Sequence, residues 1–206
     1  MVLHRDVTGS CARRDIHLHA ADFARPGRVP SRSVRAFFLL TLLGTGAALG
    51  STAVRLDTPA LVAASTDVVD GNVVSSTSVW TGDHRRIVTH VVVEVRDTWK
   101  GTAAGRITVV QPGGERDGIG QRVSGVAPLS SGERVVLFLE RSGPYHRVVG
   151  LAQGVYRVVP VEGSSELRAV PASLDGLELV SPPGQTPAAR TPVSLSALRT
   201  SVQAER

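Results

Sequence analysis

The segment Ile87–Gly101 constrains the fold of this chain most, because it carries the longest strand pattern in the sequence. Alternate side chains of a strand lie on opposite faces, and here one of the two alternating sets is largely apolar. That set comprises Ile87, Thr89, Val91, Val93, Val95 and Trp99. β-Branched residues favour strands over helices. The pattern predicts a half-buried antiparallel strand whose tryptophan lies in the core on the same face as the valines.

This strand needs partners, because the gain from burying each large apolar side chain, about 1.5–3 kcal/mol, roughly offsets the backbone entropy that each residue loses. The sequence supplies several further strand patterns separated by turn residues. They cover 67–76, 73–80, 106–111, 134–140, 145–151, 155–161 and 167–170. Gly71 inside the first pattern indicates a β-bulge or tight bend. The turn Thr81-Gly82-Asp83 joins 73–80 to 87–97 as a hairpin.

Two short helices are predicted at the ends of this β-rich region. Asp57, followed by Pro59, gives a cap residue and a proline at the first turn of a helix within 56–66. Leu195, Leu198 and Val202 fit one face of a C-terminal helix. The predicted fold is therefore mainly β. It is a small closed or partly open OB-like barrel of about five to seven strands, with short N- and C-terminal helices. The barrel domain is assigned to 57–170, and 171–206 to a Pro- and Ser-rich strap with the final helix.

The first fifty residues have the composition of an export signal. Arg32 and Arg35 precede an apolar run over 36–50 that ends in small residues. The predicted cleavage site follows Gly50 or Ala53. A buried core helix and an uncleaved anchor are the alternatives, although fifteen residues span only about 22 Å as a helix against a hydrocarbon core of about 30 Å. The sequence thus predicts a periplasmic or extracellular protein, or one anchored by its N-terminal segment.

Charge and cysteine content exclude several functions. Residues 1–50 carry seven Arg and three Asp, whereas residues 51–206 carry sixteen Lys plus Arg and fifteen Asp plus Glu. The basic character therefore comes mainly from the leader, and the rest predicts no nucleic-acid partner. Cys11 is the only cysteine, so the region after the leader has no disulfide, no cysteine nucleophile and no cysteine zinc site.

Three strings of residues resemble a known group of folds. They are the strand Asp67–Val74, the close of the long strand at Trp99-Lys100-Gly101, and the apolar stretch Gly132–Leu139. Together they are similar to the five-stranded OB-type barrel of netrin-like modules and tissue inhibitors of metalloproteinases. Gln111–Glu115 and Gly150–Gly154 also resemble strings in uncharacterised exported bacterial proteins. The inhibitors use an N-terminal cysteine on a catalytic zinc, so the resemblance implies the fold and not that mechanism.

No catalytic constellation is evident in the sequence. His84, His90 and His146 are scattered without metal-ligand spacing, and Ser124 lacks the motif of a serine nucleophile. Paired carboxylates for acid–base chemistry would come from Asp67, Asp70, Glu94 and Asp97. We interpret these four as charged residues on the solvated face of strands, and His90 as lying on the same kind of face. The sequence therefore predicts no catalytic, metal or cofactor site.

The glycine-rich segment 113–125 is the main candidate for binding. It reads as a long loop in which Gly113, Gly114, Gly118 and Gly120 expose backbone amides, and Trp80 at the hairpin end is a candidate aromatic contact. The lysine and following helix of a phosphate-binding loop are missing. The predicted function is an exported, non-enzymatic module that binds a protein or envelope partner. A disulfide-free peptidase inhibitor of netrin-like type and a hydrolase with an unrecognised site are the alternatives.

Overall fold

The structure is a computed structural model that describes residues 51–181 and 190–205. The leader 1–50, with its apolar run over 36–50 and Cys11, lies outside the described residues, as does 182–189 within the predicted strap. The described strands are β1 (Ser51–Val54), β2 (Asp67–Trp80), β3 (Ile87–Lys100), β4 (Arg106–Pro112), β5 (Gly114–Arg116), β6 (Ile119–Gln121), β7 (Arg134–Ser142), β8 (Tyr145–Val148), β9 (Val155–Pro160), β10 (Leu167–Pro171), β11 (Leu177–Val180) and β12 (Val193–Ser194). The helices are α1 (Thr58–Ala64), a 3-10 turn (Leu151–Gly154) and α2 (Leu195–Ala204).

Eight strands form one mixed sheet in the order β12-β10-β9-β7-β2-β3-β4-β8. β8 also pairs with β7, so the five strands β2, β3, β4, β8 and β7 close into a ring. The ring closes where Val109 of β4 lies beside His146 of β8 in a parallel pairing. The predicted mainly β fold with short helices near both ends is confirmed. The strands are more numerous than predicted, since short β-pairs flank the main sheet.

The core divides into two apolar clusters. The first lies inside the ring, and its members include Val69, Val73, Val91, Val93, Val109, Val135, Leu137 and Leu139. The second lies where the helices pack, and its members include Leu61, Val62, Val68, Trp99, Val136, Phe138, Tyr156, Leu198 and Val202. β7 contributes to both clusters through alternate residues, which explains its nearly all-apolar sequence.

The valine face of β3 was predicted correctly, but the placement of Trp99 on that face is wrong. Trp99 is buried, at 1% exposure, yet it belongs to the second cluster. The cause is the pairing with β2, in which Arg96 and Trp99 have no partner residue, so the register shifts at each of them. Each extra residue interrupts the strict alternation of faces, so the pattern changes face before the strand ends.

Local signals at the predicted hairpin and helices are borne out. β2 and β3 form the predicted hairpin and extend it, and the ladder shifts register at Gly71 as its bulge signal predicts. The Asp57 carboxylate accepts a hydrogen bond from the Ala60 amide at 2.9 Å, which caps α1. α2 buries Leu198 and Val202. Among the described helices, none has the length and apolarity needed to cross a membrane.

Candidate functional site

The segment 113–125, predicted as an irregular loop, contains a small β-hairpin. β5 and β6 pair in register and turn at Asp117 and Gly118, whose φ angles are 53° and 75°. Two central residues with positive φ are typical of the type I′ turn, which favours Asp-Gly. The dipeptide Asp117-Gly118 was therefore the signal that the sequence interpretation missed. The loop assignment is wrong for 114–121 because the turn is only two residues long.

The hairpin lies across the end of the β2–β3 ribbon. Thr89 Oγ1 donates to the Gly113 carbonyl at 2.7 Å, and the Gly113 amide donates to the Ile87 carbonyl at 2.9 Å. Gly114 has a φ of 134°, and a Cβ there would overlap the hydroxyl oxygens of Ser78 and Thr89. Only glycine fits at this close approach. Gly113 and Gly114 thus position the hairpin rather than simply exposing amides.

Trp80 and the hairpin meet, although 37 positions separate their contacting residues. Trp80 Nε1 donates to Asp117 Oδ2 at 2.9 Å, and the His84 ring stacks on Trp80 with centroids 6.2 Å apart. Gly118 lies at the tip of the hairpin, and a Cβ at either Gly118 or Gly120 would meet open space. We call the combined surface of Trp80, His84 and Gly114–Gln121 the hairpin surface. It contains four of the five residues predicted to bind, Trp80, Gly114, Gly118 and Gly120, and Gly113 directly precedes it.

Apolar and polar groups are mixed on and beside the hairpin surface. The Ile119 side chain is 54% exposed at the hairpin. An open cavity of about 620 Å³ lies between the ribbon and the hairpin. Its lining includes Ser76, Ser78, Thr89, Gly114, Gln121, Val123, Pro128 and Leu129, with Glu115 and Arg122 as its charged members. Opposite charges and neutral hydroxyls give the cavity no strong net charge, which suits a neutral ligand segment.

A buried polar cluster lies at the base of the ring around Asp67. Its carboxylate accepts hydrogen bonds from the amides of Thr102 and Ala103, both at 2.9 Å. Arg141 is 3.2 Å from Asp67 Oδ2, and His146 Nε2 is 3.7 Å from the same oxygen. The interpretation of Asp67 as a solvated strand residue is wrong, because its exposure is 0%. The cluster fastens the turn after β3 to β2 and β7.

The surroundings of this cluster favour the charged form of Asp67 and the neutral form of His146. Burial raises the pKa of Asp67, but the hydrogen bonds from Thr102, Thr66 and Ala103 and the charge of Arg141 outweigh it. The pKa of this carboxyl therefore lies below its ordinary value of 3.8. Burial lowers the pKa of His146 below 6.5. The charge of Asp67 and a contact with the Thr108 backbone oppose this shift, and the charge of Arg141 adds to it. Within the described residues, neither ring nitrogen makes a hydrogen bond of good geometry.

The other candidate carboxylates are also held in ion pairs. Asp70 is buried, against expectation, and Arg134 binds it through two hydrogen bonds of 2.9 and 2.7 Å. Asp97 Oδ2 lies 2.9 Å from Arg199 Nη2 in an ion pair and accepts a hydrogen bond from Trp99 Nε1 at 3.1 Å. Glu94 is exposed as predicted and lies 3.7 Å from Arg106. These partners give all three carboxylates a structural role.

The remaining catalytic candidates do not come together. His84 stacks on Trp80, while the half-buried ring of His90 lies 5.3 Å from that of Tyr145. The hydrogen bonds of the described residues include none between Ser124 and a histidine. Within 51–181 and 190–205, no three His, Cys, Asp or Glu side chains group as metal ligands. The hairpin surface and its cavity form the candidate site in which predicted binding residues come together.

Comparisons of this chain with protein-family models, with curated proteins and with solved structures found no match.

Proposed function

We propose that this chain is an exported, non-enzymatic binding module whose hairpin surface contacts a protein or cell-envelope partner. The observation that carries the proposal is the hairpin laid across the ribbon end, with Trp80 tied to Asp117 and Ile119 left 54% exposed. A fixed aromatic residue and an exposed aliphatic residue beside an open cavity have the composition of a binding surface. The leader composition supports export, and its cleavage or retention decides between release and anchoring.

We also propose that the five-strand ring is an OB-type barrel. Support comes from the ring order β2-β3-β4-β8-β7. Counted along the chain, β4 and β8 are the third and fifth strands of the ring, and they are parallel neighbours. The hairpin β5–β6 lies in the connection between β4 and β7, the third and fourth strands of the ring along the chain. OB barrels commonly bind through loops at one end, and this is where the hairpin surface would lie.

Photo-crosslinking in cells tests the binding proposal. A photo-reactive amino acid is placed at position 119 of the full-length chain, and a control chain carries it at position 159. Val159 is a matched control because it is 39% exposed but belongs to β9, outside the hairpin surface. We expect a discrete crosslinked partner from position 119 alone, and its loss when Trp80→Ala is added. Equal crosslinking from both positions, or none from position 119, contradicts the proposal.

The netrin-like resemblance supports a second candidate function, a peptidase inhibitor that works without disulfides. The ring order above favours it, since it matches the closed β-topology that the resemblance implies. Purified protein assayed against metallo- and serine peptidases tests this candidate. Inhibition that Ile119→Ser weakens is the expected result, and no inhibition at micromolar concentration removes the candidate.

A further inference from the structure

The outer half of β2 has an edge with which no strand of the described residues pairs, here called the free edge. β2 pairs with β3 along its length, but its pairing with β7 covers only Asp67–Asn72. The turn before β7 adds two contacts at Val73, whose amide donates to the Glu133 carbonyl and whose carbonyl accepts from the Gly132 amide. Ser131 Oγ then donates to the Val74 carbonyl at 2.8 Å. Beyond that point, no described strand pairs with this edge of Ser75–Trp80.

The register identifies which backbone groups face this edge. The Ile87 amide donates to the Gln121 side chain, and the Ile87 carbonyl accepts from the Gly113 amide. Ile87 therefore forms no backbone hydrogen bond with Trp80, the residue opposite it on β2. Bonded and non-bonded pairs alternate along an antiparallel ladder. The Ser78–Thr89 and Ser76–Val91 pairs are therefore also non-bonded. It follows that Ser76, Ser78 and Trp80 direct their amides and carbonyls away from β3, towards the free edge.

The free edge lacks the usual protection against strand addition. Exposed edges are commonly blocked by charged side chains, proline or strong bulges. Ser75–Trp80 contains no charged residue and no proline. The register shift at Val74 lies before this stretch and leaves it regular. Six residues of strand span about 20 Å, which is enough for a short peptide to pair with.

The cavity adjoins this edge. Ser76 and Ser78 line it from β2, and Pro128 and Leu129 line it from the segment before β7. In a sheet, side chains of neighbouring strands that lie opposite each other share a face. A strand added to β2 would therefore place every second side chain beside Ser76 and Ser78, in a cavity of about 620 Å³. A second copy paired through the same edge can offer only the side chains of Ser76, Ser78 and Trp80 on this face, whereas a segment of a partner protein can match the cavity with any uncharged side chain.

We propose that the edge Ser75–Trp80 binds an extended peptide segment of a partner protein as an added β-strand. Backbone hydrogen bonds to Ser76, Ser78 and Trp80 supply the attachment, and uncharged side chains at alternate positions enter the cavity. This inference rests on the proposed binding function and names its partner class. Strand addition uses main-chain bonds for affinity and pockets for specificity.

The test uses the full-length, isotope-labelled chain and a capped hexapeptide of alternating valine and threonine. We expect saturable shifts of the amide resonances of Ser76, Ser78 and Trp80 by nuclear magnetic resonance. The same peptide with every backbone amide N-methylated should not bind. Main-chain pairing depends little on sequence, so failure of the unmethylated peptide at millimolar concentration overturns the proposal. Equal binding of the methylated peptide overturns it as well.

Two variants at one position isolate the backbone contribution. Ser78→Pro removes an edge amide without removing a bond to β3, whereas Ser78→Ala keeps the amide and removes only the hydroxyl. We expect peptide affinity to fall at least about tenfold in Ser78→Pro and to stay within about twofold in Ser78→Ala. Unchanged affinity in Ser78→Pro overturns the proposal. If that variant does not fold, the methylated peptide alone decides.

Two further results separate this inference from its premises. A dimer of the wild-type chain that Ser78→Pro converts to a monomer assigns the edge to a second copy and overturns the peptide proposal. A crosslinked partner at position 119 that persists in a folded Ser78→Pro chain leaves the binding function standing while overturning strand addition. If neither the position 119 chain nor its Ser78→Pro form gives a crosslinked partner, the result contradicts the binding function itself.

Discussion

The side-chain oxygen Oε1 of Gln121 accepts the backbone amide of Ile87 at 2.7 Å. Ile87 is buried, with 1% exposure, so its amide needs a partner within the protein. The Ile87 carbonyl accepts the Gly113 amide on the same side. The hairpin segment thus satisfies both backbone groups of a residue at the end of the ribbon. This relationship fixes the hairpin surface to the ring without a long strand pairing.

Removing the Gln121 side chain should therefore destabilise the ribbon end. Gln121→Ala leaves the buried Ile87 amide without its acceptor, which costs about 1–3 kcal/mol of unfolding free energy. Denaturant unfolding measures this cost, and hydrogen exchange should show faster exchange at Ile87. Gly120→Ala is the matched control, because a Cβ at position 120 meets nothing within 4 Å. Equal losses in both variants would show that the hydrogen bond is not the cause.

The contact between Trp80 and Asp117 should control the mobility of the hairpin tip. Asp117→Gly removes the carboxylate and tolerates the positive φ at this position, so the turn remains possible. We expect Trp80 fluorescence to become more accessible to acrylamide, while stability changes by less than about 1 kcal/mol because the contact is exposed. Asp117→Asn keeps an acceptor oxygen and serves as the control. Quenching that does not change in Asp117→Gly would contradict a fixed tip.

Much of the ring could be predicted because its signals are local. The valine alternation of β3, the cap at Asp57 and the apolar spacing of Leu198 and Val202 each depend on neighbouring residues, and each is found in the structure. The hairpin at Asp117-Gly118 was also available from sequence. It was missed because five glycines within 113–125 suggested an irregular connection.

Other features could not be predicted because they depend on distant residues. The face of Trp99 changes through a register shift that only the partner strand reveals. β1 pairs with β11 in parallel, across more than a hundred positions, and neither strand has a strong pattern of its own. The Trp80–Asp117 contact arises only when the hairpin folds back over the ribbon. The sequence named the candidate binding residues, and tertiary structure brings most of them together.

The Asp70–Arg134 pair gives a prediction about charge burial. The Asp70 side chain is 5% exposed and that of Arg134 is 25% exposed. Arg134→Met leaves a buried carboxylate without its partner, and we expect a loss of about 1–3 kcal/mol in unfolding free energy. The double variant Asp70→Asn, Arg134→Met should lose less, because the unpaired charge is gone. Urea unfolding of the single and double variants checks this order, and a double variant as unstable as the single one would contradict it.

Acid should destabilise the ring through His146 before it affects Asp67. The pKa of His146 lies below its ordinary 6.5 in the folded chain, so the unfolded chain binds the proton more readily. Stability is therefore fully present above about pH 6.5 and falls as the pH drops through that value towards the folded pKa. The pKa of Asp67 is also lowered, so its contribution is lost at still lower pH, below its ordinary 3.8.

Unfolding free energy measured from pH 8 to pH 5 should show this dependence in the wild-type chain. His146→Phe keeps a ring of similar size and removes the titrating nitrogens, so its profile should be flatter over the same range. His84→Phe is the control, because His84 is exposed at the hairpin surface. A His146→Phe profile as steep as wild type would assign the acid sensitivity to other groups.

On the proposed export, the pairing of β1 favours the predicted cleavage after Gly50 over the one after Ala53. Ser51–Val54 aligns with Leu177–Val180, and the Arg55 amide extends the ladder to the Val180 carbonyl at 2.9 Å. The fully buried Gln153 side chain also donates to the Val54 carbonyl at 3.0 Å. Cleavage after Ala53 would remove three of the four residues of β1 and leave β11 with little to pair with. Cleavage after Gly50 keeps the whole strand.

We therefore expect the processed protein to begin at Ser51. Mass spectrometry of the N-terminal peptide from the exported chain identifies the first residue directly. A chain engineered to begin at Val54 should show faster amide exchange across Leu177–Val180 than one that begins at Ser51, because those backbone groups lose their strand partner. A natural N-terminus at Val54, or equal exchange in the two engineered chains, would mean that β1 does not hold β11 in place.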